Sequence, residues 1–235
     1  LLPLMPWRSM LLLLAAVAFA AAIAFWLFDS GSNFRGVPPN ISALRIYLLN
    51  RDFWVITAFF ALNACAAVGA YSILPTYLIL EREMSSVMAN SLVSLSRIGS
   101  VAIVFISGWL VDRFGSTKLI AGSMLLTAIA TIVLGAGNGV ILAGAVLIQP
   151  MIAVVFFTPA FSALSRIGPP ESRNVAISLT SPIAFVVGGG VFPAFLGVLG
   201  ESGRFYIGFI ILGAIMVASL PALWILNLKK PRLHA

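Results

Sequence analysis

Seven times along its 235 residues the chain runs for about twenty positions with almost no charge, and this recurrence decides most of what it can fold into. A bilayer core leaves no water for backbone N–H and C=O groups, so an apolar run of that length is stable there as a helix that satisfies its own backbone. We therefore predict an all-α polytopic membrane protein, a bundle of transmembrane helices over 9–28, 53–80, 86–111, 119–135, 140–165, 175–199 and 205–227. The long stretch from Leu119 to Ser165 divides in two because Gly135-Ala-Gly137-Asn138-Gly139 is a turn signal. Charged residues are 9% of the chain and hydrophobic ones 61%, far from the roughly one-quarter charged residues of a soluble domain. The single cysteine, Cys65, lies inside an apolar run and builds no disulfide framework. The first run has no small-residue cleavage motif and reads as a span rather than a signal peptide. The start at Leu1 is read as a sign of a fragment.

Charge placement orients the spans. One side carries Arg35, Arg45, Arg51, Arg113, Lys118, Arg166, Arg173, Lys229, Lys230 and Arg232; the other carries Arg8, Arg82 and Arg204. The positive-inside rule puts the richer side, with the C-terminus, in the cytoplasm. It also explains the net charge of +7 without nucleic acid, for which no basic stripe with interleaved aromatics exists. Trp7, Trp26, Trp54, Trp109 and Trp224 all fall near span ends, as an interfacial belt requires. The segment 29–52, with Pro38-Pro39, is the one long loop and the expected domain boundary.

Polar residues in mid-span are costly in hydrocarbon and usually face a bundle interior or a wet cavity. Asn63 marks the second span, Arg97 the third, Gln149 the fifth, and Ser178, Thr180 and Ser181 the sixth; the first, fourth and seventh have no mid-span Asn, Gln or charge. A polar-poor helix at every third place is the pattern of a three-helix repeat. Gly108-Trp-Leu110-Val-Asp112-Arg-Phe-Gly115, ending the third span, has an echo in Gly197-Val-Leu199-Gly-Glu201-Ser-Gly203-Arg204 at the end of the sixth, on the opposite side. Similar units of opposite topology are the inverted repeats of secondary transporters.

The pattern G-x-L-x-D-R-x-G followed by a basic residue, here Gly108 to Gly115 and then Lys118, resembles the signature loop of the major facilitator superfamily. Asp52-Phe-Trp-Val, Pro75-Thr-Tyr-Leu, the Gly-Pro-Pro-Glu-Ser-Arg-Asn loop at 168–174 and Gly188-Gly-Gly-Val-Phe-Pro193 sit where the second half of such a transporter has similar features. The resemblance implies a 3+3 inverted-repeat fold with 1–28 as the last helix of the first half and 29–52 as the central cytoplasmic linker. Residues 53–228 would then be the six-helix C-terminal domain and 229–235 a cytoplasmic tail. It implies transport of a small solute by alternating access, in a plasma membrane such as the bacterial inner membrane, with the N-terminal half as partner. It further implies a conformational latch in which Gly108 permits close helix contact, Asp112 pairs with Arg113 or Lys118, and Gly115 makes the turn. The alternative at that loop is a solvated turn.

Arg97 is the leading substrate-cavity candidate, because an arginine in mid-membrane can hold an anionic group by charge-assisted, often bidentate, hydrogen bonds. At 100° per residue, Asn90, Ser94, Arg97, Ser100 and Ser107 share one arc of the third helix. Asn63 and Gln149 either line the cavity or bridge helices. Tyr71 and Tyr77 read as interfacial anchors, and Pro75, Pro159, Pro182, Pro193 and Gly188 to Gly190 as joints. Asp29, Asp52, Glu81, Glu83, Asp112, Glu171 and Glu201 all lie at span ends or in loops, so a mid-membrane carboxylate for proton relay is expected elsewhere, if one is used. No metal or cofactor motif occurs, and no residue pattern supports an intramembrane enzyme. All three lysines lie at span ends, which argues against a retinal protein. A truncated membrane protein that transports nothing, or an assembly partner, is the remaining alternative.

Overall fold

The computed structural model describes residues 6–28, 41–168 and 173–226, and every regular element among them is helical. Among the described residues, seven helices are long and apolar enough to cross a membrane: Arg8–Phe28, Arg51–Leu80, Ser86–Phe114, Ser116–Ala136, Gly139–Leu164, Arg173–Glu201 and Phe205–Trp224. These are the seven expected spans, with ends shifted by about three residues at most. The chain divides into two compact units, Leu1–Val37 and Pro38–Ala235. In the first, the described element is α1 (Trp7–Phe28), apolar from Met10 to its end. The second holds the other six spans.

Two expectations change. The loop predicted at 29–52 contains a short helix, α2 (Ile41–Leu48), whose Tyr47 is fully buried. The Trp54 indole N–H donates to the Leu48 carbonyl at 2.8 Å and ties this helix to the span that follows. The signature segment is also not a loop: α5 (Ser86–Phe114) runs through Asp112 and Arg113, and α6 (Ser116–Ala136) starts after the single residue Gly115. Gly115 reverses the chain at φ 79°, in the left-handed region where glycine carries no Cβ penalty. Residues 29–40 of the linker, 169–172 of the Gly-Pro loop and the tail at 229–235 lie outside the described residues.

The second span is the centre of the bundle. It is built from α3 (Arg51–Ala64), a π-helical turn at Cys65–Gly69, and α4 (Ala70–Leu80). Asn50 starts it by accepting from the backbone N–H groups of Asp52 and Phe53 at 2.8 and 3.3 Å, the N-cap arrangement that satisfies otherwise orphaned donors. Phe53, Ile56, Phe59, Phe60, Leu74, Tyr77 and Leu78 are buried along it. Around it lie α7 (Gly139–Val155) and α8 (Phe157–Leu164), which form the fifth span. The sixth span is α9 (Arg173–Val186), a second π turn at Val187–Val191, and α10 (Phe192–Glu201). The seventh is α11 (Phe205–Ser219), ending in a 3-10 turn at Leu220–Ile225.

The two π turns pack against each other. A Cβ on Gly188 would lie 2.5 Å from the Ala64 carbonyl carbon, and one on Gly69 would collide with the Gly188 carbonyl oxygen. Glycine therefore fixes the closest approach of the second and sixth spans, at the level where both helices pass from i→i+4 to i→i+5 hydrogen bonding.

Candidate functional site

The third span presents two polar flanks that differ in character. Taking Arg97 as reference, Ser94 and Asn90 lie about 60° and 20° to one side, while Ser100, Ser107 and Ser96 lie about 60° to 100° to the other. Asn90, Ser94 and Arg97 are exposed; Ser96, Ser100 and Ser107 are buried. The buried flank faces the fifth span, where the Ser107 and Thr158 hydroxyls lie 2.7 Å apart. Ser100 bonds back to the Ser96 carbonyl at 2.9 Å. The expected single stripe is thus cut at Arg97, and Ser100 belongs to the helix packing.

Arg97 is held by an aromatic platform. Its guanidinium carbon sits 3.6 Å from the centroid of the Tyr71 ring, a cation–π contact. The Tyr71 hydroxyl is in turn fixed between the Val93 carbonyl and Ser96 Oγ, the latter at 2.9 Å. Among the described residues no hydrogen bond or carboxylate engages the guanidinium, so its fork of N–H donors is directed to whatever fills the exposed face. Tyr71, expected as an interfacial anchor, is instead a buried support of the arginine. Its position 26 residues upstream on another helix is why spacing alone does not expose the pair.

Asn63 and Gln149 take the bridging alternative. Both are buried: Asn63 donates to the Ala153 carbonyl at 3.0 Å, and Gln149 donates to the Ala66 carbonyl and Thr131 Oγ1, each at 3.2 Å. These bonds knit the second, fourth and fifth spans around the first π turn. Among the described residues, the buried Asn63 Oδ1 and Thr127 Oγ1 have no hydrogen-bond partner.

At the signature segment, Asp112, Arg113, Gly115 and Lys118 are exposed and Gly108 is partly so. Among the described residues Asp112 has neither a hydrogen bond nor an ion pair, so the structure does not bring it together with Arg113 or Lys118. The Arg113 guanidinium instead lies 5.2 Å from the Trp109 ring and 5.8 Å from that of Phe114. A Cβ at Gly108 would meet nothing within 4 Å, so the close contact it is expected to make is not made to this chain's described residues.

A second cluster closes the opposite end of the bundle. Arg82 donates to the Tyr77 hydroxyl at 2.7 Å, to Asn138 Oδ1 at 2.8 Å and to the Gly135 carbonyl at 2.5 Å. Its neighbour Glu81 accepts from the backbone N–H groups of Phe205 and Tyr206 at 2.7 and 3.3 Å, capping α11 across 124 positions of sequence. From the sequence these two residues read only as charges at a span end. Among the described residues no group of three His, Cys, Asp or Glu side chains is placed to hold a metal ion.

The Major Facilitator Superfamily family model matches residues 70–235. The crystal structure of the Escherichia coli fucose:proton symporter is similar over 93% of this chain and 54% of its own, at 15% identity and a TM-score of 0.73. A bacterial homologue of the human lysosomal transporter Spinster, in inward-facing unoccupied and occupied conformations, is similar over 93% of this chain at 17% and 19% identity, with a TM-score of 0.51 for each. The chain covers 57% and 56% of those two, and so spans about half the length of the solved structures it matches. Among curated proteins none matches the chain.

Proposed function

The chain belongs to the Major Facilitator Superfamily, and on that premise we propose that it is the second half of a secondary transporter that moves a small anionic solute by alternating access. The observation that carries this reading is Arg97, exposed in mid-span, stacked on Tyr71 and offered no carboxylate among the described residues. A charged side chain at that depth is costly unless it serves a pathway, and a planar guanidinium recognises carboxylate or phosphate oxygens in pairs. Ser94 and Asn90 extend the same exposed face. Asn63, Gln149 and Ser100 act one layer behind, fixing the helices that carry it.

In this reading 1–28 is the last helix of the first half, 29–52 the cytoplasmic linker, 53–228 the domain that rocks, and 229–235 a cytoplasmic tail. The protein sits in the bacterial inner membrane with its C-terminus in the cytoplasm, where ten of its basic residues gather against three outside. Gly108, Asp112, Arg113 and Gly115 form the latch, with the other half supplying the contact that Gly108 and Asp112 lack here. Lys118 adds positive charge at its edge. The described carboxylates Asp52, Glu81, Glu83, Asp112 and Glu201 all lie at helix ends, so this half supplies the anion site and not a mid-membrane proton carrier.

The test is uptake by the full polypeptide in proteoliposomes, challenged with carboxylates, phosphates, neutral sugars and amines. The reading expects anions alone to be taken up and Arg97→Ala to lose that uptake with the protein still correctly inserted. Uptake of neutral or cationic solutes, unaffected by Arg97→Ala, would overturn it.

A further inference from the structure

The fourth and seventh spans are pressed together at one end and splayed at the other. A Cβ on Gly135 would fall 2.5 Å from the Tyr206 carbonyl oxygen, and one on Gly213 would fall 2.7 Å from that of Ala128. Toward the other membrane face the helices part: a Cβ on Gly122 would meet nothing within 4 Å. The gap is a groove of about 560 Å³, walled by Ala121, Gly122 and Leu125 on one side and Val217, Leu220, Pro221, Leu223 and Trp224 on the other, with Thr117 and Lys118 at its mouth.

We propose that this groove is a binding site for an anionic glycerophospholipid, with one acyl chain between α6 and α11 and the headgroup phosphate on Lys118. The start of the fourth span and the end of the seventh are separated by four crossings, so Lys118 and Trp224 lie at the same membrane face. Lys118 is exposed in the first turn of α6, whose N–H groups have no acceptors within the helix and add positive partial charge. Trp224 is 92% exposed at the same mouth, where an amphipathic ring belongs at headgroup level. None of the described residues lining the groove is acidic. Apolar volume, a cation at the mouth and an interfacial tryptophan are the three parts of a phospholipid's own profile, and a soluble anion would use only the second.

Native mass spectrometry of the purified full polypeptide tests this with phosphatidylglycerol and phosphatidylethanolamine of identical acyl chains. Wild-type protein should retain phosphatidylglycerol about five-fold more strongly, the worth of one Lys near a membrane surface. Lys118→Ala should erase that preference and keep chain-length-dependent binding, and Lys118→Arg should restore it. Leu125→Trp, which fills the groove, should lose both lipids. Equal retention of the two lipids by the wild type would overturn the proposal, as would a preference that survives Lys118→Ala or full retention by Leu125→Trp.

Discussion

The Arg97 guanidinium carbon lies 3.6 Å from the centroid of the Tyr71 ring, so a side chain of the third span is positioned by one of the second. Tyr71 is itself fixed by Val93 and Ser96, both on the helix that carries Arg97. The pair is a closed loop of contacts that holds the cation without neutralising it. A carboxylate partner would have consumed the donors that an anionic solute needs.

Removing the platform separates its two contributions. Tyr71→Phe keeps the ring and loses the hydroxyl anchor; Tyr71→Ala loses both. A cation–π contact at an exposed site is worth about 0.5–1 kcal/mol, so Tyr71→Ala should raise the KM for the transported anion about two- to five-fold. Tyr71→Phe should raise it less. Initial rates of uptake across a solute series check both.

The crossing of the second and sixth spans makes a steric prediction. Gly188→Ala puts a methyl group against the Ala64 backbone, and Gly69→Ala puts one against the Gly188 carbonyl, whereas Gly190→Ala meets open space. Overpacking of this kind costs about 1–3 kcal/mol. Thermal unfolding in detergent should show the first two variants clearly destabilised and Gly190→Ala close to wild type.

Much of this architecture is legible in the sequence, and the reasons differ from part to part. Span positions follow from hydrophobic length, which is local, and Gly115 stands out because the chain must reverse within one residue. Which way a polar side chain turns is not local. Asn63 and Gln149 face neighbouring helices, and Arg97 faces outward, because of how three spans are phased against each other. The π turns at Cys65–Gly69 and Val187–Val191 rotate the residues beyond them relative to a regular helix, so an arc drawn at 100° per residue fails across them. The Glu81 cap is hidden because the partners of its two acceptors lie 124 and 125 positions away.

That cap predicts a localised effect. Glu81→Ala removes the acceptor for the Phe205 and Tyr206 amides at the start of α11, and loss of a cap costs about 0.5–2 kcal/mol. Hydrogen exchange should accelerate at those two amides, with little change in the middle of α11. Uniform acceleration along the helix, or none, would contradict the assignment.

The latch is tested by changing charge without changing shape. In the full polypeptide, Asp112→Asn should shift the balance between inward-open and outward-open states, read as altered labelling of single cysteines placed in the cytoplasmic half of the cavity. Solute affinity in each state should stay near wild type. Identical labelling of the two proteins would remove Asp112 from the latch and leave the segment as a solvated turn.

The most direct measurement is equilibrium binding of the transported solute to the purified full polypeptide carrying Arg97, Arg97→Lys or Arg97→Ala. Hydrogen bonds to a charged group are worth about 1.5–3 kcal/mol, so Arg97→Ala should weaken binding by about ten- to one-hundred-fold. Arg97→Lys, which keeps the charge and loses the fork, should fall between the two. An unchanged dissociation constant in a correctly folded Arg97→Ala protein would contradict the account at its centre.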